Sequence, residues 1–493
     1  MAYLLGLDIS TTGAKALIVD HTGQVIASHT TPQPISTPKP LWSEQNPADW
    51  WGGIAASIRA ALAESGLRGD DIAAVGLTGQ MHGLVLQDAA GNVLRPAILW
   101  NDQRTASQCE QITEKVGFHR LIELTGNRAL TGFTAPKILW VQENEPEVYA
   151  KTAHFLLPKD YLRFKLTGDY ALDLSDAAGT LLLDVANRRW STEVIDALGI
   201  PYEWLPALFE GTEITSMVTA TAATETGLRV GTPVVGGGGD QAAGAAGVGA
   251  VREGIIGLAV GTSGVVFAPL ERYAYEPDGL LHAFCHAAPG LWHFMGRDAE
   301  RGRQFAVVAR FTCAGRSFDE LVGETADIPA GSEGLLFLPY LTGERTPHPD
   351  PLARGAFVGL TVRHSKAHMT RAVLEGVSFG LKDSFELMRA AGMPVRQIRV
   401  QGGGAKSAIW RQILADVLNA PLARTSTTDG AAFGAAVLAA VGAKVYPNVQ
   451  TACEAMVQIT DETLPSSHAP DYINPYALYR TLYPALKETF TRI

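Results

Sequence analysis

GLDISTTGAKALIV (6–19) and IIGLAVGTSGVVFA (255–268) are the two stretches that decide the fold. Each is an apolar run, a turn rich in glycine and hydroxyls, and a second apolar run. Around the first copy, YLLGLD reads as a strand, Ser10–Gly13 as a turn, and AKALIVD as the next strand. His21-Thr22-Gly23 then turns the chain into a third strand, QVIASHT, so the chain opens as a β-meander and not as a βαβ unit. Pro47 suits a first helical turn, and Trp50, Ile54 and Ile58 recur at helical spacing, which predicts a helix over 47–64. DIAAVGLTGQMHGLVLQD (71–88) reads as two strands around a Gly-rich turn. Strands alternating with longer helical patterns predict an α/β fold. Two copies of one strand–phosphate-loop–strand unit predict a duplicated architecture with a ligand in a cleft between the halves. The break is expected near 245–255, after GGGGDQAAGAAGVGAVREG, dividing the chain into domains 1–248 and 249–493.

Length agrees with that division, because 493 residues exceed what one hydrophobic core usually serves. Hydrophobic residues at 46% and charged residues at 18% fit a folded globular enzyme and not a disordered chain. A net charge of -10 argues against a nucleic-acid partner, since phosphate backbones call for a basic surface. The start, MAYLLGLDIS, has no basic segment or small-residue cleavage site, and Asp8 ends the apolar run far short of a membrane span. Cys109, Cys285, Cys313 and Cys453 are scattered without a C-x-x-C pair, so neither zinc nor a disulfide framework is expected. A cytoplasmic location is the simple expectation.

Three loops and two aspartates carry the chemistry. In Asp8-Ile9-Ser10-Thr11-Thr12-Gly13, hydroxyls and backbone N–H groups make a pocket for an anion, and Lys15 adds charge. Asp8, at the end of a strand beside that pocket, suits Mg²⁺, which takes one or two carboxylates together with phosphate oxygens. Gly261-Thr262-Ser263-Gly264 repeats this composition, although each loop alone also reads as a plain hairpin turn. Gly402-Gly403-Gly404-Ala405 follows the strand QIRVQ and precedes a helix beginning near Ser407; its glycines let a bulky ligand approach the backbone. Gly236-Gly237-Gly238-Gly239-Asp240 follows the strand TPVVG. Four glycines clear space around one carboxylate, which is then placed to accept a proton from a hydroxyl during phosphoryl transfer. The bland alternative makes Asp240 a helix N-cap before QAAGAAGVGA.

Taken together, the loops resemble the FGGY family of carbohydrate kinases, members of the actin-like ATPase (ribonuclease H-like) fold. GFTAPKILWVQEN (132–144) and GAFVGLTVRHSKAHMTRAVLE (355–375) resemble its two long signatures. Finer similarity runs through LWSEQNPADWW (41–51), GQMHG (79–83), LRPAILWNDQR (94–104), LLPKDYLRFKLTGD (156–169), SDAAGTLLLD (175–184) and LPYLTGERTPH (338–348). The resemblance implies a sugar-binding N-terminal domain, a nucleotide-binding C-terminal domain and a cleft that closes between them. It implies ATP as phosphoryl donor, Mg²⁺ linked to Asp8, Asp240 as general base and a ketopentose as acceptor. Met81, His82, Asn101 and Asp102 would bond the sugar, whose hydroxyls each need a partner when buried. Thr11, Thr12, Lys15, Gly261, Thr262 and Gly402–Ala405 would touch ATP. Trp42, Trp50 and Trp51 either wall the sugar side or pack the core. The resemblance is compatible with a homodimer. Other readings are a kinase for ribulose, gluconate or glycerol, an actin- or chaperone-type nucleotide switch, and an inactive relative. GQMHG and WNDQR argue against the switch.

Residues 296–316, GRDAERGRQFAVVARFTCAGR, depart from the pattern, with five arginines where the family has an apolar, small-residue helix. Burying that face would strand cations without partners. Plausible codons for Arg297 to Arg310, read one base later, give Val-Met-Leu-Ser-Ala-Ala-Gly-Ser-Leu-Gln-Trp-Leu-Arg, which fits the family. We therefore expect a frame-shifted segment, the alternative being a true exposed variant. An unambiguous gene sequence with no missing or extra base contradicts the frame shift. If the residues are genuine, a displaced segment beside the nucleotide cleft is expected, with weakened ATP binding. No functional residue is assigned between 297 and 316.

Overall fold

The computed structural model describes residues 2–260, 264–298, 317–341, 343–344, 346–426 and 429–493. Gly261 and Thr262, and most of the stretch read as frame-shifted, lie outside the described residues. Two seven-stranded sheets dominate the described chain, one in each half. Tyr3–Ile9, Gly13–Asp20 and Val25–Pro32 form the antiparallel meander that the opening sequence implies. Ile72–Gly79 and then Pro233–Val235 add in parallel on the other side, and Ile214–Met217 closes the edge antiparallel. The second sheet follows the same plan. Ile255–Val260, Gly264–Leu270 and Trp292–Asp298 run antiparallel, Gln397–Gln401 and Leu422–Thr425 add in parallel, and Ile459–Thr463 is the antiparallel edge. The expected helix over 47–64 is Pro47–Ser65, capped by the Asn46 side chain and started by Pro47.

The Gly/Ala-rich segments turn out to be the packing seam of the molecule. Helix Asp240–Gly247 lies against helix Gly430–Gly442, and both are rich in glycine and alanine. A Cβ on Gly434 would sit 1.7 Å from Ala243 O, and one on Gly247 would sit 2.0 Å from Gly430 O. Backbones can approach this closely only where side chains are absent. Helix Gly430–Gly442, from the second half of the chain, also crosses the first sheet. A Cβ on Gly6 would lie 1.9 Å from Ala432 O, and one on Gly76 would lie 1.9 Å from Ala435 O. One apolar cluster accordingly joins Leu4, Leu17 and Val235 of the first sheet to Ala242, Phe433 and Val437 of the two helices. Helices Lys366–Ala390 and Ala408–Leu418 pack on the second sheet through Val377, Leu381, Ile413 and Leu414. Among the described residues, no helix is long and apolar enough to cross a membrane.

Candidate active site

In the first sheet, three parallel strands end in register, with Ile9 beside Gly79 and Gly79 beside Gly239. The turn after Asp8, the segment Gln80–His82 and Asp240 therefore leave the sheet at one edge. The carboxyl ends of parallel strands are the usual ligand edge of α/β sheets. The second sheet repeats this, because Ala259 pairs with Gln401 in parallel, so the end of strand Ile255–Val260 and the loop after Gln401 share an edge.

Asp240 is the first residue of its helix, and Gly239 takes the capping position without a side-chain bond. The N-cap reading of Asp240 therefore fails, and its carboxylate sits at the positive end of the helix. The glycines before it are demanded by space. Gly237 has φ +72° and its Cβ would lie 2.0 Å from Leu77 O. A Cβ on Gly239 would meet Met81 Cγ at 2.8 Å and Asp176 Oδ1 at 3.2 Å.

Asp8 pairs across the sheet with Lys15 on one side and Thr78 on the other. Its Oδ1 is buried without a hydrogen-bond partner. Burial and the Asp240 carboxylate push its pKa up to about 7, against the pull of Lys15. A buried orphan carboxylate oxygen with a raised pKa is a group a cation would satisfy. No cluster of three or more metal-ligating side chains occurs among the described residues. Lys15 Nζ lies 2.6 Å from Asp429 Oδ1, just before helix Gly430–Gly442, so the pair ties the edge of the first sheet to the second half of the chain.

Thr11 is held by a polar network. Its hydroxyl donates to Gln80 Oε1 at 3.2 Å and accepts from Trp100 Nε1 at 3.1 Å, and its carbonyl accepts from Gln45 Nε2 at 2.8 Å. Gln45 Oε1 in turn accepts from Gln80 and from Trp50. Thr12 is exposed at the tip of the turn. Trp50 and Trp51 lie on helix Pro47–Ser65 and are buried in the core, which answers the tryptophan question for these two in favour of packing. Trp42 packs edge-on against Trp140 at 5.3 Å, with the Arg104 guanidinium 3.5 Å above its ring.

Met81 is buried against Gly239, next to Asp240. His82 adopts φ +68°, a left-handed conformation rare outside glycine. Its Nδ1 is 2.7 Å from Gly179 O, and its carbonyl accepts from Lys137 Nζ at 2.8 Å and Thr134 Oγ1 at 3.1 Å. Burial lowers the Lys137 pKa to about 7, with Asp102 opposing. Asn101 lines a cavity of about 550 Å³ with Lys39, Trp42, Ser43 and Gln103, and its Oδ1 is buried without a partner. Asp102 behaves differently from Asn101. It is fully buried and accepts from Ser43 N at 2.6 Å and from Arg104 Nη2 at 2.6 Å and Nε at 2.9 Å. As found, it braces the loop that carries Asn101.

On the second sheet, Gly402 has φ +94° and is exposed, while Gly403 is exposed with nothing within 4 Å of a Cβ. Gly404 and Ala405 are buried under the loop, where a Cβ on Gly404 would meet Val260 and Trp410. Ser407 caps the following helix, Ala408–Leu418, by accepting from Trp410 N.

A set of buried charges behind Asp240 had no role in the sequence reading. Lys159, Asp160, Arg163, Asp173 and Asp176 are all fully buried. A signal was present. PKDYLR places Lys159, Asp160 and Arg163 on adjacent or one-turn-apart positions of one helix, Pro158–Thr167, among Tyr161, Leu162 and Leu166.

The chain matches the FGGY family of carbohydrate kinases, N-terminal domain, over residues 3–247 and the same family's C-terminal domain over 257–443, and it belongs to this family. It is 42% identical to a xylulose kinase from Escherichia coli (strain K12) over 490 residues, which is 99% of this chain and 98% of that protein. A ligand-bound xylulose kinase from Lactobacillus acidophilus superposes with a TM-score of 0.94 at 26% identity, covering 100% of both chains. A gluconate kinase from Lactobacillus acidophilus also gives 0.94 at 26%, covering 100% of this chain and 99% of the other.

Proposed function

We infer that the protein transfers the terminal phosphoryl group of ATP to D-xylulose, giving D-xylulose 5-phosphate and ADP. The observation that carries this reading is the 42% identity with the Escherichia coli xylulose kinase along 99% of the chain. The similarity of folds does not choose the acceptor, since the xylulose and gluconate kinase structures superpose equally well. Residues 1–248 would hold the sugar and residues 249–493 the nucleotide.

Met81, His82 and Asn101 orient the sugar so that its terminal hydroxyl faces Asp240. Asp240 accepts the hydroxyl proton as the oxygen attacks the γ-phosphorus and the bond to the β-phosphate oxygen breaks. Asp102 holds Asn101 in place through the loop. Thr11, Thr12 and Lys15 on one edge, and Gly261, Thr262 and Gly402–Ala405 on the other, would receive the phosphates and the nucleotide. Mg²⁺, held through Asp8, would neutralise charge developing on the phosphates. Closure of the cleft would exclude water, the competing acceptor. A cytoplasmic compartment would supply the ATP, and a homodimer would be seen by light scattering. The test is ADP release coupled to a panel of xylulose, ribulose, gluconate and glycerol. Preference for xylulose is expected; a clear preference for another polyol removes xylulose, and turnover indifferent to every sugar removes the kinase.

A further inference from the structure

The four glycines before Asp240 are gripped from behind by a continuous chain of buried polar contacts. Arg163 Nη1 donates to Val235 O at 2.8 Å and to Thr215 Oγ1 at 2.7 Å, and its Nη2 donates to Gly236 O. That fixes the beginning of the glycine run. At its end, Gly239 N donates to Ser175 Oγ at 3.1 Å, and Ser175 Oγ donates to Asp173 Oδ2. Asp173 Oδ1 is 2.8 Å from Lys159 Nζ, which also reaches Asp160, and Asp160 Oδ1 is 3.4 Å from Arg163 Nε. The contacts thus run from Gly236 through Arg163, Asp160, Lys159, Asp173 and Ser175 back to Gly239. Every side chain in the loop is fully buried. Burial works against the Lys159 ammonium, but Asp160, Asp173 and Asp176 outweigh it and raise its pKa, so Lys159 keeps its charge.

A glycine run has no side chains of its own to hold it, and glycine loses more backbone freedom on ordering than any other residue. Something outside the run must therefore set where the next residue points. The neighbouring strand fixes the run in one direction, through Gly238 beside Thr78 and Gly239 beside Gly79. The buried loop fixes it in the other.

We propose that Ser175, backed by the Asp173–Lys159 pair, is a positioning residue for phosphoryl transfer: it holds the Gly239 amide and so aims the Asp240 carboxylate at the acceptor hydroxyl. This rests on the reading of Asp240 as the base. Ser175 makes no contact with substrate in this account, so its loss should alter kcat and leave the sugar KM nearly unchanged. A group misplaced by about an ångström can lose on the order of 100-fold in rate.

The experiment measures kcat and KM for D-xylulose in wild type, Ser175→Ala, Ser175→Thr, Asp240→Asn and the Ser175→Ala/Asp240→Asn double variant. Ser175→Ala is expected to lose about 100-fold in kcat with KM within about threefold, and Ser175→Thr, which keeps the hydroxyl, to recover most of that loss. The double variant should be no slower than Asp240→Asn alone, because the serine acts through the aspartate. Wild-type kcat in Ser175→Ala, or a full extra loss in the double variant, overturns the proposal while leaving Asp240 as the base. Full activity in Asp240→Asn overturns the reading of the base itself. Should Ser175→Ala not fold, amide exchange in the wild-type protein decides: slow exchange at Gly239 is expected, and exchange at the rate of an exposed loop contradicts the clamp.

Discussion

Two glycine runs border the site, and they are built in opposite ways. Gly236–Gly239 is buried, and added Cβ atoms on Gly236 and Gly237 would lie 2.3 and 2.0 Å from backbone oxygens. Behind it stand buried acidic and basic side chains in a closed set of contacts. Gly402 and Gly403 are exposed, and the loop is backed by apolar Val260 and Trp410. The first run is enclosed by its neighbours up to Asp240. The second leaves backbone open for a ligand to lie against. Glycine thus serves close packing in the first run and exposure of backbone in the second, which the sequence spells almost identically.

The largest effect that would break this contrast is expected at the carboxylate. Asp240→Ala should lower kcat by about 10³–10⁴-fold while the protein stays folded, read by ADP release with D-xylulose. A loss under about tenfold would mean the run aims nothing. Next comes the ionic backing. Lys159→Met leaves buried carboxylates without their cation and should destabilise by about 4 kcal/mol in urea unfolding. Gly237→Ala forces a Cβ toward Leu77 O at φ +72° and should cost about 3 kcal/mol in the same measurement.

His286, in the second half of the chain, is buried as a neutral ring instead. His286 Nε2 lies 3.0 Å from Ala250 O, while its Nδ1 accepts from Ala288 N at 3.0 Å, a pattern only the uncharged ring satisfies. Burial, with Arg188 adding to it, lowers its pKa to about 4. The unfolded chain therefore binds the proton that the folded chain refuses between pH 6.5 and about 4. Stability is full above this window and falls through it on acidification, by on the order of 3 kcal/mol. His286→Asn should flatten that part of the pH–stability curve; an unchanged slope would assign it to other groups. The smallest effect is expected at the open loop. Gly403→Ala meets nothing within 4 Å, so unfolding should move by less than about 0.5 kcal/mol while the ATP KM rises about fivefold. A stability loss there as large as at Gly237 would erase the contrast.

Much of this was readable in the residues. The meander, the helix at Pro47 and the strand on either side of GQMHG followed from alternation, helical spacing and glycine turns, which are local signals. Asp8 and Asp240 stood out because each ends an apolar strand beside glycines. What escaped were the long-range matches. GAAFGAAVLAAVG reads as an apolar helix, but nothing local says that it crosses Gly6 and Gly76 of the first sheet. GGGGDQAAGAAGVGA likewise carries no local sign that its helix packs backbone to backbone against Gly430–Gly442. Asp102 resembles Asn101 in sequence, yet Ser43 and Arg104 occupy both its oxygens. The buried contacts tie Arg163 to Gly236, 73 positions away, and Ser175 to Gly239, 64 positions away, and only the folded chain brings them together.

The most direct test is a crystal structure with D-xylulose and a non-hydrolysable ATP analogue bound. An Asp240 carboxylate oxygen is expected within about 2.6–3.2 Å of the sugar's terminal hydroxyl, with that hydroxyl facing the γ-phosphate. A sugar bound with its terminal hydroxyl against another residue, and Asp240 beyond about 5 Å from it, contradicts the account.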